Sequence, residues 1–251
     1  MEKNENIIVL GQRINNITLV ETLDKIHKAI KSNESLTIAT VNPEFLVLAT
    51  RNKRFRNILS AFDLRVPDGV GILYLTNIFT RNRFRERVTG VELSEKLIKL
   101  CANNSYKVAL IGGSSEANKK ACEKLLGRYP ALSLYGNNGG TINPNTPPEQ
   151  LISEIKAFKP HVTLVALGAP KQEYFINNIK NDIKSVYVGV GGTIDFMAGT
   201  AYRAPSFFRK IGLEWLWRLF FEPKRFKRII NATLVFPAYY IKNVLLGNKV
   251  H

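Results

Sequence analysis

The chain has 251 residues, 45% hydrophobic and 22% charged, so it can bury a large core and has the make-up of a soluble globular protein. Its 36 Lys and Arg against 20 Asp and Glu leave a net charge of +16, which calls for an anionic partner: nucleic acid, a nucleotide substrate or an acidic membrane face. The polar start lacks the apolar stretch of a signal peptide, no apolar run is long enough to span a bilayer, and Cys101 and Cys122 have neither metal-ligand nor disulfide-scaffold spacing, which together read as a cytoplasmic protein.

Residues 7–10 read as a strand, and 18–31 as a helix with Leu19, Leu23, Ile26 and Ile30 on one stripe. A second strand, 36–41, ends in Thr40-Val41-Asn42-Pro43, and Pro43 suits the first turn of a helix carried through 44–60. Residues 64–66 form a short strand delivering Asp68 within Val66-Pro67-Asp68-Gly69-Val70-Gly71. Pro67 fixes one torsion and Gly69 opens torsions closed to other residues, so the stretch predicts a sharp turn that holds the Asp68 carboxylate at the mouth of a cleft. An ordinary Pro-Asp-Gly surface turn is the competing reading.

Helix 91–103, strand 107–111 and helix 116–128 come next, followed by a short strand near 132–135 and a Gly/Asn/Pro loop at 137–148. Helix 149–158, strand 162–167, helix 171–181 and strand 186–190 complete the pattern. Repeated strand–helix alternation means an α/β fold with a mostly parallel sheet and helices on both faces. The character changes near Tyr202, where Arg and Lys interleave with Phe and with both tryptophans, Trp215 and Trp217. That mixture suits a basic amphipathic helix at an anionic membrane surface, broken into two at Pro223. Residues 1–201 are thus expected to form the core and 202–251 a helical, membrane-docking appendage.

In a parallel α/β sheet, ligands bind beyond the carboxyl ends of the strands. Three such ends are glycine-rich: Gly112-Gly113, Gly168 and Gly191-Gly192. Glycine lets main-chain N–H groups approach a phosphate, and a helix start adds partial positive charge, so their convergence favours a nucleotide site over packing alone. The P-loop pattern and a GxGxxG after the first strand are both missing, which counts against nicotinamide chemistry. No two of Asp24, Asp63, Asp68, Asp182 and Asp195 are spaced Asp-x-Asp, and His27, His161 and His251 are scattered, so no metal cluster is expected. Arg81, Arg83, Arg85 and Arg87 alternate after Asp68; one turned into the cleft would clamp a phosphate. Arg218, Arg225 and Arg228 would share one helical face if helix geometry continued through Pro223, either completing the site or merely binding lipid headgroups. A non-catalytic nucleotide- or nucleic-acid-binding module is the reading from another class, weakened because the charge mixes with Trp and Phe at the C-terminus rather than lying along the sheet.

Several motifs stand in a familiar order: Thr40-Val41-Asn42-Pro43-Glu44, Val66 to Gly71, Glu86-Arg87-Val88-Thr89-Gly90, Gly168-Ala169-Pro170-Lys171-Gln172-Glu173 and Gly191-Gly192-Thr193-Ile194-Asp195. Arg203-Ala204-Pro205, residues 213–219 and Glu222-Pro223 follow. The chain resembles the WecG/TagA/CpsF glycosyltransferases over nearly its whole length. The resemblance implies a Rossmann-like, inverting, metal-independent transferase. It would move N-acetylmannosamine, its uronic acid or a related hexose from a UDP donor to polyprenyl-diphosphate-linked N-acetylglucosamine, in cell-wall or surface polysaccharide synthesis. It places the base on Asp68, with Thr40 and Asn42 in the same pocket, and donor binding on Arg87, Gln172 and Asp195. Arg218, Arg225 and Arg228 would close over the diphosphate. A peripheral place on the cytoplasmic membrane face, a self-associated form that converts to an active monomer, and no nucleic-acid partner are also implied. Two departures from the family pattern are a longer, arginine-rich segment between Gly71 and Glu86 and the Asn/Pro-rich loop at 137–148.

Overall fold

Strand residues here alternate between two apolar faces, as a sheet covered on both sides requires. Along the strand Leu36–Val41, Ala39 and Val41 join one buried cluster and Ile38 the other; Ala109 and Ile111 oppose Val108 and Leu110 in the same way. The computed structural model describes residues 6–137, 142–201, 204, 205, 207, 208, 214–221 and 226–246. In chain order the strands are β1 Asn6–Val9, β2 Gln12–Asn15, β3 Leu36–Val41, β4 Leu64–Pro67, β5 Val108–Gly112, β6 Leu134–Asn137, β7 Val162–Ala166 and β8 Val186–Gly189. The six from β3 onward form one parallel sheet in the order β4-β3-β8-β7-β5-β6.

On one face lie α2 Pro43–Arg51, α3 Lys53–Ser60, α7 Glu149–Phe158 and α8 Lys171–Ile179; on the other lie α1 Leu19–Lys31, α5 Gly90–Asn103, α6 Ser115–Arg128 and α9 Thr193–Ala198. The helix α4 Val70–Phe79 follows β4 directly. The C-terminal part contributes α10 Glu214–Phe221 and α11 Phe226–Ile230, which runs through a π-helical stretch, Asn231–Val235, into α12 Phe236–Leu245. This last helix is bonded to the body by its own core residues: Phe236 and Tyr240 are fully buried in the cluster that holds Leu46 of α2 and Ile72 of α4. Pro223 and Arg225, where a break between two helices is expected, lie outside the described residues.

Three local findings differ from the sequence reading. The strand at 7–10 is half of a hairpin: β1 pairs antiparallel with β2 around Leu10 and Gly11, both at positive φ (48° and 74°), a two-residue turn matching the strand twist. Arg65 of β4 clamps that hairpin to the sheet, donating from Nε to the Arg13 carbonyl at 2.6 Å and from Nη1 to the Leu59, Ser60 and Phe62 carbonyls. The expected helix 44–60 is two helices. Asn52 leaves helical geometry (φ −125°, ψ 102°) and its Oδ1 accepts from Phe55 N–H at 3.0 Å, capping α3, a task asparagine performs well. The Val66–Gly71 stretch is a strand-to-helix junction, with Gly69 as the residue before α4 at φ −96°, ψ 125°, torsions any residue adopts. Gly69 is needed for space instead: a Cβ there would lie 2.2 Å from Pro43 Cδ.

Candidate active site

The crossover leaving β3 runs to α2 on one face, whereas the chain leaving β8 runs to α9 on the other, so a crevice opens between these adjacent strands at their carboxyl ends. A cleft of about 90 Å³ occupies it, lined by Thr40, Asn42, Asp68, Gln172, Gly191 and Gly192 among others. Thr40, nearly buried, donates from Oγ1 to the Gly189 carbonyl at 2.9 Å, tying β3 to β8 and leaving its oxygen lone pairs to the cleft. Asn42 caps α2 by accepting Phe45 N–H at 3.2 Å, so its amide nitrogen is what it can offer a ligand.

Asp68 is held from three directions. Its N–H donates to the Val41 carbonyl at 2.8 Å, and the neighbouring Pro67 carbonyl accepts from Val88 N–H at 2.8 Å, so the chain stays tied to β3 and to the 87–90 segment past the strand's end. The carboxylate accepts from Gly90 N–H at 3.3 Å. Gly90 opens the fourteen-residue helix α5, so the positive end of that helix faces the Asp68 charge. Thr89, its cap, and Gly90 are site residues that the sequence reading quoted without assigning a task. The Thr-Gly step before an apolar helical period is the signal that identifies such a cap. A side chain at Gly90 would place Cβ 3.4 Å from Thr40 Oγ1, so glycine keeps this wall of the cleft open.

At the opposite wall Gln172 accepts Gly191 N–H at Oε1, 2.9 Å, and donates from Nε2 to Glu173 Oε1, 2.7 Å. Burial pushes the Glu173 carboxyl up to about 7, against the Gln172 hydrogen bond, which lowers it. Gly112 and Gly113, at φ +95° and +77°, line neither cavity beside Asp68. Their lack of a side chain answers to packing, since a Cβ on Gly112 would lie 2.7 Å from the Ala166 carbonyl oxygen and one on Gly113 3.0 Å from Ile194. Asp195 sits in the first turn of α9, outside both linings, its carbonyl accepting Thr200 and Ala201 N–H.

Asp68, Asn42 and Arg228 line the cleft and also a second, larger groove of about 550 Å³, whose walls include Val70, Tyr74 and Leu75 on one side and Ile229 of α11, Ala232 of the π-helical stretch and Pro237 of α12 on the other. Arg87 faces this groove, whereas Arg85 turns away to Glu21, which it holds down to about 2. Arg228 donates from Nε to both carboxylate oxygens of Glu44 at 2.7 and 2.8 Å, fixing α11 to the first turn of α2. Arg218 lies on α10, but its side chain is outside the described residues, as is the whole of Arg225. Among the described residues no three His, Cys, Asp or Glu side chains stand together as a metal ion would need, and no helix is long and apolar enough to cross a membrane.

The family described as "Glycosyl transferase WecG/TagA/CpsF family" matches residues 7–249. The chain belongs to this glycosyltransferase family. Among WecG/TagA/CpsF relatives, the chain is 30% identical over 218 residues to a protein of Bacillus subtilis (strain 168), covering 86% of this chain and 84% of the relative. It is 32% identical over 224 residues to one of Staphylococcus aureus (strain NCTC 8325 / PS 47), covering 88% and 87%. Both relatives are named N-acetylglucosaminyldiphosphoundecaprenol N-acetyl-beta-D-mannosaminyltransferase. The protein is therefore a glycosyltransferase, as the motif resemblance implies, on an α/β sheet of the expected kind.

Proposed function

We propose that the protein transfers N-acetylmannosamine from a UDP donor to the N-acetylglucosamine of a diphosphoundecaprenol-linked acceptor, with inversion and without a resident metal. The relatives' names supply the sugar and the acceptor. The observation that carries the reading is the position of Asp68, where a polar cleft at the sheet edge meets an apolar groove. The cleft, at about 90 Å³, suits one end of the donor, such as a phosphate or part of the sugar, and the groove suits the isoprenoid end of a lipid-linked acceptor, so the two substrates would meet at the carboxylate.

In this mechanism Asp68 takes the proton from the acceptor hydroxyl as that oxygen bonds to the anomeric carbon, on the face opposite the diphosphate. The carbon–oxygen bond to UDP breaks and UDP leaves with the electron pair. Charge growing on the departing diphosphate is met by Arg87 and Arg228, with Arg218 and Arg225 assigned the same task by the resemblance, and by the Gly192 main-chain N–H, the Gly191 N–H being held by Gln172. Thr40, Asn42 and Gln172 orient the sugar; Asp195 would act on the donor only from beyond the cleft lining.

The C-terminal helix closes the groove and, together with α4, exposes Ile78, Phe79, Phe226, Leu234 and Leu245 beside basic Lys227 and Lys242. That mixture suits docking on the anionic cytoplasmic face of a membrane. Asp68→Asn keeps the size of the side chain and removes the base. Turnover with lipid-linked acceptor should fall on the order of a hundredfold while UDP binding and the circular dichroism spectrum persist. Near-normal turnover removes Asp68 as the base. Excess chelator should leave wild-type turnover unchanged, and a loss restored by a divalent cation would overturn the metal-independent part. Mass analysis of product across UDP-N-acetylmannosamine, its uronic acid and UDP-hexoses decides the donor.

A further inference from the structure

Glu173 is a carboxylate that the reaction above leaves unused, and its surroundings are costly for a charge. It lies in the first turn of α8 with no exposed surface, and its Oε2 has no hydrogen-bond partner among the described residues. A buried carboxyl in that state destabilises the fold, and an apolar side chain of similar size would relieve it. Such a position is retained where a site needs it.

Its other oxygen identifies the need. Gln172 is gripped at both ends of its amide, accepting from Gly191 N–H at 2.9 Å and donating to Glu173 Oε1 at 2.7 Å. A main-chain N–H can only donate, so Gln172 must turn its oxygen to Gly191, and its nitrogen then needs an acceptor on the other side. Glu173 Oε1 is that acceptor whether the carboxyl is charged or neutral, as long as the proton resides on the unpartnered Oε2. Gly189 makes room for the arrangement: a Cβ there would lie 2.7 Å from Gln172 Nε2 and 3.1 Å from Glu173 Oε1. Remove the acceptor, and the amide can turn over and set its N–H₂ against the Gly191 N–H.

We propose that Glu173 is a positioning residue for the donor. It fixes the Gln172 amide, and through it the Gly191-Gly192 loop, in the arrangement that receives the UDP-sugar. The proposal rests on the donor reading given above. Three full-length proteins test it: wild type, Glu173→Met and Glu173→Gln, each assayed for UDP-N-acetylmannosamine KM and kcat, for melting temperature and for hydrogen exchange at the Gly191 amide.

Glu173→Met should melt near wild type, relief of the buried carboxyl offsetting the unpaired Gln172 N–H₂, exchange faster at Gly191 and show a donor KM raised about tenfold with a smaller change in kcat. Glu173→Gln places a carbonyl oxygen where Oε1 stood and should bring KM back to within about threefold of wild type. Unchanged KM and unchanged Gly191 exchange in Glu173→Met overturn the proposal, as does a lower melting temperature with unchanged KM, which marks a merely structural residue. If Glu173→Met does not fold, Glu173→Gln decides: wild-type KM supports the proposal, and a tenfold rise overturns it. Failure of the wild type to use UDP-N-acetylmannosamine sinks the donor reading instead, and Gly191 exchange in Glu173→Met still judges Glu173.

Discussion

At the scale of single residues, the site is a set of side chains whose polar atoms are mostly committed to the fold, and what remains faces the cleft. Thr40 spends its proton on β8, Asn42 its oxygen on α2, and Gln172 both ends of its amide on neighbours. Gly69 shows how tightly the mount of Asp68 is built. Gly69→Ala would drive a methyl group into the Pro43 ring, 2.2 Å from Cδ, although its torsions suit alanine. We expect a loss of roughly 1–3 kcal/mol, read as a lower urea midpoint with an unchanged slope. A stability equal to wild type would mean that Pro43 yields freely. Asp68 itself was legible in the sequence because Pro and Gly flank it, but the physical reason differs: its rigidity comes from a strand end bonded to Val41 and Gly90 and from the contact of Gly69 with Pro43. A contact between residues 26 positions apart has no local signature. The buried Glu173 was equally hidden, since its motif says nothing of burial.

At the scale of elements, apolar β-branched runs located five of the six strands of the main sheet, because burial on both faces leaves little room for polar residues. The edge strand β6, Leu-Tyr-Gly-Asn and only partly buried, lies two residues beyond its expected place. The β1–β2 hairpin was half legible: Gln12 to Asn15 is polar in three of four positions, and its Leu10-Gly11 turn lacks the usual Asn-Gly. The helix α4 escaped because Val70 to Phe79 carries apolar residues all round, with no polar stripe to mark a period. It is apolar because one side packs on the last helix and the other is exposed near the groove. The Arg228–Glu44 bond joins α11 to α2 at the site. Both partners are partly exposed, so the bond contributes about 0–1 kcal/mol, and Arg228→Gln should barely move the melting temperature. Its effect should appear in kcat, at least about tenfold down, if the guanidinium meets the leaving diphosphate. An unchanged kcat would confine Arg228 to holding the helix.

At the scale of the whole molecule, the surplus of +16 was plain from composition, but its partner was not. The structure sets Lys227 and Lys242 beside exposed Phe226, Ile241, Leu245 and Leu246 on the helix that borders the groove. We therefore expect binding to vesicles rich in anionic lipid, weakened by salt and cut several-fold by Leu245→Glu, with neutral vesicles bound poorly. Flotation assays at two salt concentrations check this, and equal binding to neutral vesicles would refute it. Because Phe236 and Tyr240 of this helix sit in the core, the proposed docking would carry the body with it and turn the groove mouth to the bilayer.

The contact between Gly69 and Pro43 also constrains descent. Any side chain at position 69 collides with the ring at 43, and once that ring is gone the tightest contact left to such a Cβ is the main-chain nitrogen of residue 43 at 3.3 Å. A lineage can thus lose Pro43 first and Gly69 afterwards, but the reverse order passes through a crowded intermediate. The two positions beside Asp68 are thereby coupled, and substitutions pass through them in one order.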